Sequence, residues 1–331
     1  MQALVTGATG LVGAHVVRAL LAKGWAVRAL RRPSSPAWPA GEPAPEWAEG
    51  DLRDPDSLRR AAEGCDAVFH VAGHYALWAE DEAIFHTVNV EGTRNVLAAA
   101  RAAGVARVVH TSSVACIGEA PPGGLADEDT VVRPSDLCGG YKRSKLAAER
   151  VVQEAVAEGQ DVVIVNPASV IGPGDVKPTP TGKIVLDFLQ GRIPFYLDTG
   201  LNFVDVRDVA EGHVLAWEKG QAGRRYILGH PTGNATLREF LQLVGDAAGR
   251  RPPRFRIPYA LAWLAGATST FVADRLTKRP PAVPLVGVQM SRHRMFFDPS
   301  RAIAELGLET RPLEETVRDA VAWFRREHGT A

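Results

Sequence analysis

The sequence predicts an α/β protein: a doubly wound parallel sheet that carries a second, smaller mixed α/β lobe. Two observations lead there. Over the first two-thirds of the chain, short β-branched apolar runs alternate with longer Ala/Leu-rich stretches, the pattern of a parallel sheet covered by helices. After Asn166 the rhythm breaks at Pro167, Pro173, Pro178 and Pro180, where a second lobe is expected to begin. With 331 residues, 46% hydrophobic and 23% charged, the chain is no disordered polymer and can bury a sizeable core. Its 38 basic side chains are cancelled by 38 acidic ones, so no nucleic-acid footprint follows. No apolar run reaches the length of a membrane span, and Met1-Gln2-Ala3-Leu4-Val5 lacks the layout of a signal peptide. The expectation is a cytoplasmic protein. Cys65, Cys116 and Cys138 lie far apart without C-x-x-C spacing, so neither a disulfide framework nor a metal site is expected.

Each element has a local reason. Residues 2–6, 26–30, 67–71, 107–111 and 162–166 are Val-rich and short, as fully buried strands are, and a further short strand is expected near 46–50. Before that last strand, five prolines between Pro33 and Pro45 impose an irregular surface connection. Residues 11–23 carry apolar side chains at three- and four-residue spacing and stop at Gly24. Residues 84–103 do the same and stop at Gly104, both glycines reading as C-caps. Residues 142–158 form a further helix. Beyond Asn166, helices are expected at 184–190, 205–219, 236–248 and after Leu313, with a strand at 225–228. The division that follows is a dinucleotide-binding domain at 1–167, to which 203–223 return, and a smaller substrate lobe at 168–202 and 224–331.

The expectation of a dinucleotide comes from the end of the first strand, Thr6-Gly7-Ala8-Thr9-Gly10-Leu11-Val12-Gly13. Three glycines between a strand and a helix serve a tight turn, a close approach to pyrophosphate, and close helix–strand packing. The helix N-terminus then offers free N–H groups to the anion. The second strand ends in Arg28-Ala29-Leu30-Arg31-Arg32-Pro33, without the carboxylate that would hold a free ribose 2'-hydroxyl. Two adjacent guanidiniums, Arg31 and Arg32, suit a 2'-phosphate, so NADP is expected over NAD, with simple solvation of the two arginines as the alternative. Asp51-Leu52 follows the third strand, where it could hold the adenine edge.

Tyr141-Lys142-Arg143-Ser144-Lys145 sets a tyrosine and a lysine four residues apart on one helical face. A tyrosine near its ordinary pKa is a poor proton-transfer group at neutral pH, and a neighbouring ammonium favours its phenolate. Thr111-Ser112-Ser113 places hydroxyls at the carboxyl end of a parallel strand, where ligands bind in such sheets. Asn89, on the preceding helix, could support the lysine through water.

In order along the chain come Thr-Gly-x-x-Gly-x-x-Gly, Asp51-Leu52, His70-Val71-Ala72, Asn89-Val-x-Gly-Thr, Thr-Ser-Ser and Tyr-x-x-x-Lys. This succession resembles the extended short-chain dehydrogenase/reductases of the NAD-dependent epimerase/dehydratase superfamily, which share the Rossmann sheet. Through Tyr75-Ala76-Leu77-Trp78, Asn166-Pro167 and Lys177-Pro178-Thr179-Pro180-Thr181-Gly182, it is most similar to the dihydroflavonol 4-reductase-like group. The similarity extends to that group's bacterial branch labelled hopanoid-associated sugar epimerases. The resemblance implies Ser113 as the substrate-orienting hydroxyl, Tyr141 as proton donor or acceptor, and Lys145 as the residue that tunes Tyr141 and holds the nicotinamide ribose. Asn89 is the implied fourth member. It further implies contacts to the cofactor from Gly7, Thr9, Gly10, Leu11, Val12, Gly13, Val71, Ala72 and Pro167, besides Arg31, Arg32, Asp51 and Leu52.

The departures narrow the substrate. Dehydratases of the superfamily carry Asp-Glu where this chain has Val114-Ala115, and UDP-hexose epimerases resemble Arg-Asp-Tyr-Ile-His-Val where it has Leu201-Asn202-Phe203-Val204-Asp205-Val206. Without the dehydrating acid and base, or the arginine for a sugar diphosphate, a small or apolar carbonyl compound bordered by Tyr75 and Trp78 is expected. Two other readings stay open: a sugar epimerase that retains its cofactor, and a non-catalytic module that senses NADP. The resemblance also implies a homodimer, in which residues 84–103 and 142–158 of two copies pack as a four-helix bundle.

Overall fold

The computed structural model describes residues 1–120 and 123–329. From the N-terminus run β1 (Gln2–Thr6), α1 (Leu11–Ala22), β2 (Ala26–Arg31), β3 (Glu46–Glu49), α2 (Pro55–Ala62) and β4 (Ala67–His70). They are followed by α3 (Ala83–His86), α4 (Gly92–Ala102), β5 (Arg107–Thr111), α5 (Gly139–Ala157) and β6 (Val162–Pro167). Then come β7 (Ser169–Ile171), α6 (Pro180–Leu189), β8 (Phe195–Tyr196), β9 (Gly200–Asp205), α7 (Val206–Lys219) and β10 (Arg225–Leu228). The chain closes with β11 (Asn234–Thr236), α8 (Leu237–Ala248), β12 (Phe255–Arg256), α9 (Tyr259–Val272), α10 (Leu285–Met290), β13 (Arg294–Met295) and α11 (Leu313–His328).

Seven parallel strands form the large sheet in the order β10-β6-β5-β4-β1-β2-β3. Both faces are covered, which is why these strands are near-continuous apolar runs. On one face Val16, Leu20 and Val214 of α1 and α7 pack on Val5, Phe69 and Val165. On the other, Leu58, Val96 and Val152 of α2, α4 and α5 pack on Leu4, Val68 and Ile164. The direction of winding reverses between β1 and β4, and the crevice at the carboxyl ends of those strands is where such sheets bind ligands. Gly24 and Gly104 follow α1 and α4 at φ +78° and +69°, the left-handed C-cap conformation their sequence positions imply. The expected helix at 84–103 is one run, α3 joined to α4 through a π-helical turn at Thr87–Glu91 that carries Asn89.

The boundary between lobes differs from the expected one. Residues 225–228, assigned from the sequence to the smaller lobe, are β10, the edge strand of the large sheet, because the fully buried Tyr226, Ile227 and Leu228 pair in parallel with β6. Conversely, 203–205 belong to β9, whose partners are β7, β11 and β13 in a separate four-stranded sheet. The return to the large lobe therefore spans α7 and β10, and Ala302, Leu306 and Leu308 join its core from the far end of the chain. In the smaller lobe α6, α8 and α11 close over β9, with Phe203 stacked on Phe240 at 3.8 Å between ring centroids. Residues 330–331, the end of that lobe, lie outside the described residues.

The helices at 84–103 and 142–158 bury part of their small apolar surface within the chain. Ala99, Ala100, Ala148, Val152 and Ala155 are buried, whereas Ala98 and Ala102 are exposed and Leu146, Ala147 and Val156 are half-buried.

Candidate active site

The first crossover is shaped by steric necessity. Gly7 sits at φ +72°, and a Cβ there would lie 2.7 Å from the amide nitrogen of Ala72 on the neighbouring strand end. A Cβ on Gly13 would lie 2.1 Å from the carbonyl oxygen of Gly7, so α1 can approach β1 only through glycine. Gly10 is the N-cap of α1, offers no side-chain cap, and is followed by no carboxylate in the first turn. An uncapped helix start of this kind fits the diphosphate of a dinucleotide, whose oxygens accept from its N–H groups.

From this loop a cavity of about 750 Å3 runs along the carboxyl ends of the strands. Its wall contains every residue expected at the cofactor: Gly7, Thr9, Gly10, Leu11, Val12, Gly13, Arg31, Arg32, Asp51, Leu52, Val71, Ala72 and Pro167, with Tyr141 and Lys145. Arg31 lies over the Trp47 ring at 4.9 Å, and among the described residues neither Arg31 nor Arg32 enters an ion pair. Asp51 is otherwise engaged. Its carboxylate accepts from Arg53 Nε at 2.8 Å and Nη2 at 2.7 Å, and that pairing pulls its pKa down to about 2.

At the other end the same cavity is lined by Ser113, Tyr141, Lys145 and Tyr75. Tyr141 and Lys145 project from α5, one turn apart, and Ser113 starts a short 3-10 turn after β5, its hydroxyl accepting from the Ala115 N–H at 3.1 Å. The Tyr141 ring lies 4.6 Å from that of Tyr75. Lys145 donates to the carbonyl oxygen of Thr111 at 2.7 Å. The electrostatics differ from the sequence expectation: burial raises the Tyr141 pKa above its ordinary value and lowers that of Lys145. The lysine head is spent on a backbone carbonyl, and loss of solvent outweighs the influence of a nearby cation.

Asn89 does not line the cavity. Its amide donates to Ser144 Oγ at 2.9 Å and to the His74 carbonyl at 3.1 Å, and its oxygen accepts the His74 N–H at 2.6 Å. It ties the π-helical turn to α5 beside Lys145, a positioning arrangement rather than contact with reacting atoms. Trp78 also lies off the cavity, a correction to the expected substrate wall. Its indole N–H donates to Asp274 at 2.7 Å, and that bond turns the ring away toward the segment after α9. Leu77 lines the cavity instead.

Three features were not anticipated. Buried Glu149, one turn beyond Lys145, accepts from Ser112 Oγ at 2.5 Å, Asn166 Nδ2 at 3.3 Å and Arg225 Nη1 at 3.3 Å. Asn166 also donates to the Ser113 carbonyl at 3.0 Å, so this network fixes the loop that presents Ser113. The signal was present in the sequence, since 141, 145 and 149 share one helical stripe and a carboxylate on the buried side demands partners. His70 and His110, ring centroids 5.3 Å apart, are fully buried behind Lys145 and held neutral by burial. Asp175, in the cavity wall, is pushed up to about 6 by burial while it accepts from the Thr179 N–H and hydroxyl, both at 2.9 Å.

Comparisons with known proteins place this geometry. Residues 3–229 match the model of the NAD dependent epimerase/dehydratase family. A provisionally named dihydroflavonol 4-reductase of Synechocystis sp. is 46% identical, over 98% of this chain and 94% of that protein. Sterol demethylase protein B of Methylococcus capsulatus is 39% identical over 98% of each. Among solved structures, that of gox2253 is 43% identical with a TM-score of 0.87, covering 99% of this chain and 98% of the other. The UDP-glucose 4-epimerase of Thermus thermophilus, solved with NAD, is 27% identical with a TM-score of 0.77, covering 98% and 99%.

Proposed function

The chain belongs to the NAD-dependent epimerase/dehydratase family and is an NAD(P)-dependent enzyme, and from that premise we propose an NADP-dependent reductase of a ketone or aldehyde on a small or apolar substrate. The observation that carries it is the single cavity wall shared by the glycine loop, Arg31 and Arg32 at one end and Ser113, Tyr141 and Lys145 at the other. Gly7 to Gly13 would hold the diphosphate, Arg31 and Arg32 the 2'-phosphate, and Lys145 the nicotinamide ribose. Bound in reduced form, the dinucleotide supplies a hydride to the carbonyl carbon.

The chain's own groups do the rest. Ser113 donates to the carbonyl oxygen and orients it. Tyr141, kept protonated by burial, transfers its proton to that oxygen as negative charge develops there, which completes the alcohol. Solvent afterwards reprotonates the tyrosine. Asn89, through Ser144 and His74, holds α5 and the π-helical turn at a fixed distance. The substrate end is walled by Leu77, Tyr75 and Met290, which supports an apolar carbonyl compound over a sugar diphosphate. The similarity to a 4-epimerase solved with NAD keeps one second reading, a sugar epimerase that retains its cofactor.

Cofactor choice is directly measurable. NADPH is expected to bind more tightly than NADH by fluorescence titration, and Arg31→Ala/Arg32→Ala to lose tenfold or more in NADPH affinity while NADH is little changed. Charge-assisted bonds of this type contribute roughly 1.5–3 kcal/mol each. Equal affinity for both cofactors in the unmodified protein removes the 2'-phosphate assignment.

A further inference from the structure

We propose that α9 and the segments flanking it form a docking face for the surface of an anionic lipid bilayer. Helices of globular proteins usually turn an apolar stripe inward and a polar one outward. Here large apolar side chains face outward instead, over Tyr259-Ala260-Leu261-Ala262-Trp263-Leu264-Ala265-Gly266-Ala267-Thr268-Ser269-Thr270-Phe271-Val272. Within α9 only Ala262 and Gly266 are buried, and a Cβ on Gly266 would already lie 3.2 Å from Leu285 and Val288 of α10. The large side chains point to solvent: exposure runs from 44% for Trp263 to 73% for Leu276, just beyond the helix, with Leu261, Leu264 and Phe271 between. Residues 261, 264 and 271 fall on one helical stripe, and Phe255 of β12 adds a further exposed ring on the approach to α9.

Charge selects the occupant. Residues 250–294 hold nine arginines and lysines and a single carboxylate, Asp274, in a chain whose charges cancel overall. Arg251, Arg254, Arg275, Lys278 and Arg279 are exposed, and among the described residues they form no salt bridge. An apolar helix with an aromatic at the boundary and a rim of cations matches the layers of an anionic bilayer surface: acyl chains, interface and head-group charge. A second copy fits less well, because an isologous contact through this face would set the two cationic rims against each other. Spanning is not the mode, since among the described residues no helix is long and apolar enough to cross a membrane.

The face is joined to the catalytic cavity. α10, on which α9 packs, contributes Gly287 and Met290 to the cavity wall, followed by Ser291, and Trp78 bonds Asp274 at the end of α9. Docking would therefore bring the substrate end of the cavity next to the bilayer. The inference itself rests on the exposed helix and its charge and stands apart from the choice of substrate.

The test is sedimentation of the whole chain with vesicles of phosphatidylcholine alone or mixed with phosphatidylglycerol. The protein should pellet with the anionic vesicles, poorly with the neutral ones, and less at high salt. Arg275→Gln/Lys278→Gln/Arg279→Gln should lower the bound fraction about tenfold or more, and Leu264→Glu should abolish binding with an unchanged melting temperature, since the Leu264 side chain is largely exposed. A protein that stays in the supernatant with anionic vesicles overturns the proposal. So does a Leu264→Glu variant that pellets normally, or a two-chain mass by light scattering that the same variant halves, which would give the face to a second copy.

Discussion

Tyr141→Phe is expected to lower kcat for carbonyl reduction by roughly 100- to 10,000-fold, the usual contribution of a positioned general acid, while cofactor binds nearly as before. The substitution removes one oxygen and leaves the ring, so packing against Tyr75 survives. What disappears is the phenol that lines the substrate end of the cavity together with Ser113. The pH dependence has a defined sign: the proposed reduction takes a proton from Tyr141, so the rate is expected to fall as pH rises through the pKa of that phenol, and the falling limb to vanish in the variant. Rapid-mixing measurement of a single turnover checks both. Unchanged turnover in Tyr141→Phe would mean that another group delivers the proton.

Gly13→Ala should have an effect of similar size on a different quantity. The added methyl would begin 2.1 Å from the Gly7 carbonyl oxygen, a rigid backbone atom rather than the end of a flexible side chain. Either α1 moves off β1 or the Gly7 turn opens, and both displace the uncapped N–H groups proposed to hold the diphosphate. Overpacking of this kind costs about 1–3 kcal/mol in stability. Cofactor affinity should fall by more than that penalty alone implies, because the anion site is built from the same turn. Thermal melts with and without NADPH separate the two: the variant should melt lower and gain little on adding cofactor. A melt equal to the unmodified protein, with the full cofactor shift, contradicts the reading of this loop.

The large lobe was legible because local signals and burial agree there. Val-rich runs at 2–6, 107–111 and 162–166 had no stable alternative to a buried strand, and Gly24 and Gly104 stop their helices at the expected places. The site was legible where its chemistry is local in sequence: the glycine loop, and Tyr141 with Lys145 one helical turn away. Long-range pairings were not. Whether residues 225–228 join β6 or a separate sheet depends on which edge is free, and nothing within the strand's own sequence records that. Likewise Trp78 reads in the sequence as a pocket aromatic, but its indole N–H needs an acceptor and finds it 196 residues away on Asp274. The surroundings of Tyr141 are another property that spacing alone does not carry. Spacing shows that a lysine is near, yet only the fold shows that Thr111 occupies its ammonium, that Lys145 is buried and that Tyr141 is half-buried in the cavity wall.

Reduction of a carbonyl, rather than inversion of a sugar centre, is the reaction proposed for the shared cavity. The most direct measurement mixes purified protein with NADPH and a panel of apolar ketones and aldehydes, and follows the absorbance of the reduced cofactor together with the alcohol formed. The account predicts one NADPH consumed per alcohol produced, continuing over many turnovers. Turnover of a nucleotide sugar with no net loss of NADPH, and no consumption with any carbonyl compound, would contradict it.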